Sequence, residues 1–117
     1  MPRISTFLVG VQGLVLICNG FVTLFAPAIV AAEGALLAGT PSCALHTLSL
    51  SSLSLGTSYL LATQQSTSAR HRFMLAAVPL RILAMGLFWG DGPAWVGVTV
   101  YEAAMGLANV AVVWFEK

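Results

Sequence analysis

Charge is what this chain has least of. Of its 117 residues only 8% are Asp, Glu, Lys or Arg, five basic and four acidic, for a formal net charge of +1. A soluble domain carries roughly a quarter charged residues, and this chain is instead 58% hydrophobic, with a mean hydropathy of +0.91. So little polar surface cannot face water all round, which points to one integral membrane domain over residues 1–117, its main partner the lipid bilayer. No Lys/Arg cluster is present, which argues against nucleic acid as a partner. There are two cysteines, Cys18 and Cys43, and no C-x-x-C, so neither a thioredoxin-like redox motif nor a zinc site is expected. A disulfide between those two is left open by their placement toward the same membrane face. His46 is alone among the apolar runs, and the carboxylates are scattered, so no metal-ligand set is expected. No serine sits in a G-x-S-x-G elbow. No cofactor is implied, which argues against redox chemistry.

What the chain does have is four apolar runs. The first, Thr6 to Phe25, is ended by Ala26-Pro27, where proline removes a donor and disfavours helix in the residue before it. Its apolar stretch exceeds the roughly 7–15 residues of a signal-peptide core, so it reads as a first transmembrane helix. A loop over residues 28–42 holds a short apolar piece, Ala28 to Leu37, placed in the interface or re-entering. Gly39-Thr40-Pro41-Ser42 launches the second run, Cys43 to Ala62, and the polar stretch Gln64 to Arg72 connects it to the third, Phe73 to Trp89. Gly90-Asp91-Gly92-Pro93 is a tight turn into the fourth, Ala94 to Phe115. Each run is near the ~20 residues that a bilayer core requires. The expectation is an all-α fold, a four-helix transmembrane bundle.

With four spans both termini share a side with the 64–72 connector. Arg3, Arg70, Arg72 and Lys117 all lie there, and the opposite loops have no Lys or Arg. The positive-inside rule makes that side cytoplasmic. Trp89 and Trp95 mark the far interface and Trp114 the cytoplasmic one.

Each run carries a polar group that hydrocarbon would penalise: Asn19 in the first, His46 in the second, Arg81 in the third and Glu102 in the fourth. Arg81 is eight residues before Trp89 and Glu102 eight after Ala94, so both lie roughly 12 Å from the far end at a ~1.5 Å rise per residue. The short turn makes the last two spans antiparallel neighbours. A basic and an acidic group at matched depth are therefore expected to pair. Glu102, Gly106 and Asn109 share one helix face, as do Gln12 and Asn19. Thr47, Ser51, Ser54 and Ser58 form a small polar stripe suited to close helix packing, and Gly86 and Gly90 make a GxxxG match. The stripe reads as packing rather than as a nucleophile.

Glu102 and Arg81 are the first candidates for catalysis, with Asp91, His46 and Glu33 as complementary acid/base groups. Asn19, Tyr101 and Trp89 are candidates for contacting a substrate. The bland alternatives are a structural ion pair for Arg81 and Glu102, an interfacial hydrogen bond for His46, and a turn residue for Asp91.

Phe-Ala-Pro after the first run, Pro79-Leu-Arg81 in the third, and Trp95 through Tyr101-Glu102 to Gly106 resemble the small four-helix membrane proteins of the DoxX-like superfamily. In size, span number and acidic residues the chain is also similar to small multi-pass proteins of fungal polyketide and terpenoid pathways. Some of those are assigned as hydrolases or cyclases of epoxidised polyenes. That likeness implies a membrane enzyme opening an epoxide on a lipophilic small molecule in secondary-metabolite biosynthesis, located in the endoplasmic reticulum if the source is eukaryotic. The competing expectation is a non-catalytic assembly factor, chaperone or complex subunit. A transporter or channel subunit is a third, and that one would need a homo-oligomer to build its pathway.

Overall fold

A computed structural model describes residues 3–117. Among them the regular structure is helical: α1 (Ile4–Phe25), the single turn α2 (Pro27–Val30), α3 (Ser42–Ala62), α4 (Thr67–Gly90), a 3₁₀ turn (Pro93–Trp95) and α5 (Val96–Phe115). Three segments are long and apolar enough to cross a membrane, namely Ile4–Phe25, Thr67–Gly90 and Pro93–Phe115. α3 has the length but not the apolarity. Six serines and two threonines among its 21 residues dilute its hydropathy, so the expected second span stands apart from the other three.

Burial runs opposite to that of a water-soluble core. Among the described residues six buried side chains are hydrophobic, Val9, Leu45, Tyr59, Ala62, Met74 and Val113. Nine are polar or charged, including Gln12, Arg70, Arg81 and Asn109. Large apolar side chains such as Phe7, Leu80, Leu107 and Trp114 point outward. Such extensive exposed apolar surface is what a membrane-contacting or protein-contacting face presents.

The described residues divide into two compact units, Val9–Leu61 and residues 3–8 with Ala62–Lys117. In the first, α1 and α3 approach closely through small residues. A Cβ on Gly20 would lie 2.6 Å from Leu53 Cγ and 3.0 Å from the Ser49 carbonyl oxygen. One on Gly56 would lie 2.9 Å from Ile17 Cγ1 and 3.0 Å from the Gly13 carbonyl oxygen. Ser49, Ser52 and Gly56 thus form the inner face of α3. Ser52 Oγ donates to the Leu16 carbonyl at 2.7 Å and accepts from Asn19 Nδ2 at 3.1 Å. The stripe of Thr47, Ser51, Ser54 and Ser58 is exposed instead. Thr47 and Ser58 hydroxyls bond back to the carbonyls of Cys43 and Ser54, four residues earlier, so they need no partner across an interface. The loop after α2 turns through Gly34 and Gly39, whose φ values of 81° and 75° suit residues without a Cβ. The apolar piece 28–37 forms only the single turn of α2 before the chain bends through these turns. Cys18 and Cys43 are free and exposed, so the disulfide left open by the sequence is not formed.

In the second unit α4 begins at Thr67, six residues before the expected Phe73. Ser66 caps it by accepting from the Ala69 N–H at 3.3 Å, which lets helix absorb most of the polar connector. α4 continues through Pro79, at the cost of one rung of its hydrogen bonding. The Asp91 N–H closes it on the carbonyls of Leu87 and Phe88, and Gly92, at φ 106°, reverses the chain into α5. Gly86 and Gly90 face open space, with nothing within 4 Å of an added Cβ, so the GxxxG match is not a packing surface within the chain.

Candidate functional site at the seam of α4 and α5

The facing sides of α4 and α5 follow a three-four alternation. On α5 the inward positions are Thr99, Glu102, Gly106, Asn109, Val113 and, at its end, Glu116, all buried or half-buried. On α4 they are Arg70, Met74, Ala77, Arg81, Ala84 and Phe88. This is the seven-residue repeat with which antiparallel helices keep one seam in register. Three members of the α5 row, seven residues apart, are polar, and each reaches α4.

At the first level Arg81 Nη1 donates to Glu102 Oε2 at 2.7 Å, with 9% and 20% of the two side chains exposed. The aliphatic stem of Arg81 crosses Gly106, where an added Cβ would stand 3.9 Å from Cβ and Cδ of the arginine. That is ordinary contact, and alanine removes the entropic cost of a mid-helix glycine, so Gly106→Ala is expected to raise stability by about 0.5–1 kcal/mol, as measured by unfolding in detergent. At the second level Asn109 Nδ2 donates to the Met74 carbonyl at 3.4 Å, with both residues buried.

At the third level Glu116, just beyond α5, accepts from the Ser5 N–H at 2.8 Å and meets His71 Nε2 at 2.9 Å. Arg70 Nε donates to Ser5 Oγ at 2.9 Å, and its Nη1 donates to the carbonyls of Thr63 and Gln65. Burial alone would raise the Glu116 carboxyl. The hydrogen bonds from Ser5 and His71 and the charge of His71 outweigh it, and the pKa falls from 4.5 to about 2. A folded-state value below the unfolded one stabilises the fold fully above the unfolded value. That contribution should fade as pH falls from about 4.5 to about 2. A Glu116→Gln variant is expected to lack this acid limb when unfolding temperature is followed by tryptophan fluorescence between those pH values.

Of the residues singled out from the sequence, the structure brings Arg81 and Glu102 together directly. Tyr101 is half-buried on α5. Asp91 is exposed at the end of α4, and Trp89 lines an open cleft of about 320 Å³ with Gly92, Pro93 and Val96, beside the stacked rings of Phe88 and Trp95. Arg81 and Glu102 do not line that cleft. His46 is exposed on α3, Glu33 is exposed in the loop before it, and Asn19 is bonded to Ser52. Among the described residues no group of three or more His, Cys, Asp or Glu could hold a metal ion.

The Ser5, Arg70, His71 and Glu116 cluster went unmarked in the sequence. Its signal was the spacing: Glu116 stands seven residues beyond Asn109, which stands seven beyond Glu102. Comparison with protein-family models, curated proteins and solved structures finds no match.

Proposed function

We propose that this is a multi-pass membrane protein with α3 as a fourth span and both termini cytoplasmic, whose Arg81–Glu102 pair performs acid/base chemistry on a lipophilic small molecule. The observation carrying the chemistry is the pair itself: a carboxylate held by a guanidinium at 2.7 Å, midway along two long apolar helices, with a fifth of the carboxylate side chain still accessible. Ionisable groups at such positions are expensive and so point to function.

Epoxide opening is the concrete reaction. Glu102 takes a proton from water, or from a hydroxyl of the substrate, as that oxygen attacks a ring carbon and the ring C–O bond breaks. Arg81 stabilises the alkoxide that forms, as a permanent cation with five N–H donors. The proton then passes from Glu102 to the alkoxide, giving a diol or a cyclic ether with all atoms balanced. General base catalysis of this kind contributes about 10²–10⁴-fold. Glu102→Gln is therefore expected to lower turnover of an epoxide-bearing polyene by about that factor while the purified protein remains folded, with product followed by chromatography. Unchanged turnover would sink the proposal.

The repetition of polar ties at Asn109 and Glu116 favours a second reading, a non-catalytic membrane subunit or assembly factor in which Arg81 and Glu102 only fix helix register. Under that reading Glu102→Gln lowers the unfolding temperature and leaves no activity to lose. In a eukaryote the membrane would be the endoplasmic reticulum.

A further inference from the structure

The Glu116 cluster leaves the outward-facing charged side chains at one end of the second unit all basic. Glu116 is the acidic side chain nearest that end; the unit's others, Asp91 and Glu102, lie at the far turn and along α5. It points inward, with 9% of its side chain exposed, and is taken up by Ser5 and His71. Arg70 is buried and occupied by Ser5, Thr63 and Gln65. The cations that remain face outward: Arg3, Arg72 and Lys117 are all exposed. Each adjoins a member of the cluster in sequence, Arg3 two residues before Ser5, Arg72 next to His71 and Lys117 next to Glu116. The hydrogen bonds that join Ser5, His71 and Glu116 therefore gather these three cations from three separate stretches of chain.

We infer that this end is a docking surface for the headgroups of anionic phospholipids. The flanking side chains Ile4, Phe7, Trp114 and Phe115 are exposed and apolar, placing the cations at the border where headgroups lie. Lys117 Nζ sits 5.7 Å from the Trp114 ring, a basic and aromatic pairing suited to that border. A cation near an anionic leaflet strengthens association about fivefold. Three together are worth on the order of a hundredfold. The attraction fades beyond a Debye length of about 8 Å at physiological salt.

The inference rests on the membrane reading above, and its test separates the two. The full chain, purified in neutral detergent, is titrated with phosphatidylglycerol, with phosphatidylcholine and with inorganic phosphate, and bound lipid is counted by native mass spectrometry. The expected result is binding of phosphatidylglycerol at concentrations where phosphatidylcholine does not bind, weakened by high salt. Binding should fall on the order of a hundredfold in an Arg3→Gln, Arg72→Gln, Lys117→Gln variant. Equal binding of the two lipids, an unaltered triple variant, or displacement of the lipid by inorganic phosphate overturns it. Release of the protein from membranes by alkaline carbonate overturns the membrane reading itself, whereas retention without headgroup preference overturns only the docking surface.

Discussion

Arg81→Met is expected to destabilise the protein by about 3–5 kcal/mol, because it leaves the Glu102 carboxylate largely buried with its cation gone. Breaking a buried pair costs more than the pair itself contributes, since the remaining charge keeps its desolvation penalty and loses its compensation. The same logic predicts recovery. Glu102→Leu combined with Arg81→Met should regain most of the loss, with a coupling of about 1–3 kcal/mol in the double-mutant cycle. Denaturant titration in detergent, read by tryptophan fluorescence, supplies all four corners of that cycle. A single substitution at Arg81 without effect on stability would mean that the Arg81–Glu102 pair contributes nothing to holding the seam. The recovered double variant has a second use. If it is stable yet inactive on an epoxidised polyene to which the parent responds, the pair acts in chemistry as well as in register.

The second large effect lies at the contact of α1 with α3. Gly20→Val and Gly56→Val each force atoms into space already held by Leu53 and Ser49 or by Ile17 and Gly13. Backbone atoms are among those neighbours, so the clash cannot be relieved by rotating a side chain. Overpacking of this kind costs about 1–3 kcal/mol, and the upper part of that range is expected for both variants. Gly86→Val, where nothing lies within 4 Å of an added Cβ, is the matched control and should unfold with the parent.

The difference between those glycines explains which parts of the fold could be read from the sequence. Gly86 and Gly90 have the spacing of a helix-packing motif, and spacing says nothing about which way a face is turned. Gly13, Gly20 and Gly56 have no motif between them, yet they make the close approach. The hydroxyls of α3 misled for a related reason. A serine or threonine that bonds the carbonyl one turn back is satisfied on its own helix, so it can point outward as readily as inward. Thr47, Ser51, Ser54 and Ser58 do point outward, while Ser49 and Ser52 take the inner face.

The Arg81–Glu102 contact was legible because two constraints met. The Gly-Asp-Gly-Pro turn fixed the helices as neighbours, and equal counts from that turn placed both charges at one depth. The Glu116 cluster was not legible in that way, because its partners come from residues 5, 70 and 71, without a shared turn to count from. The start of α4 was obscured by composition. Polar residues at 67–72 looked like loop, but polarity does not exclude helix, and a serine cap starts helix there just as well.

The regular recurrence of polar ties also bears on how this part of the molecule could move. Sliding one helix past the other by a single turn, about 5.4 Å, would carry Glu102, Asn109 and Glu116 away from their partners in one step. The three ties therefore oppose sliding of α4 against α5 together, so the two helices resist a change of register as one body.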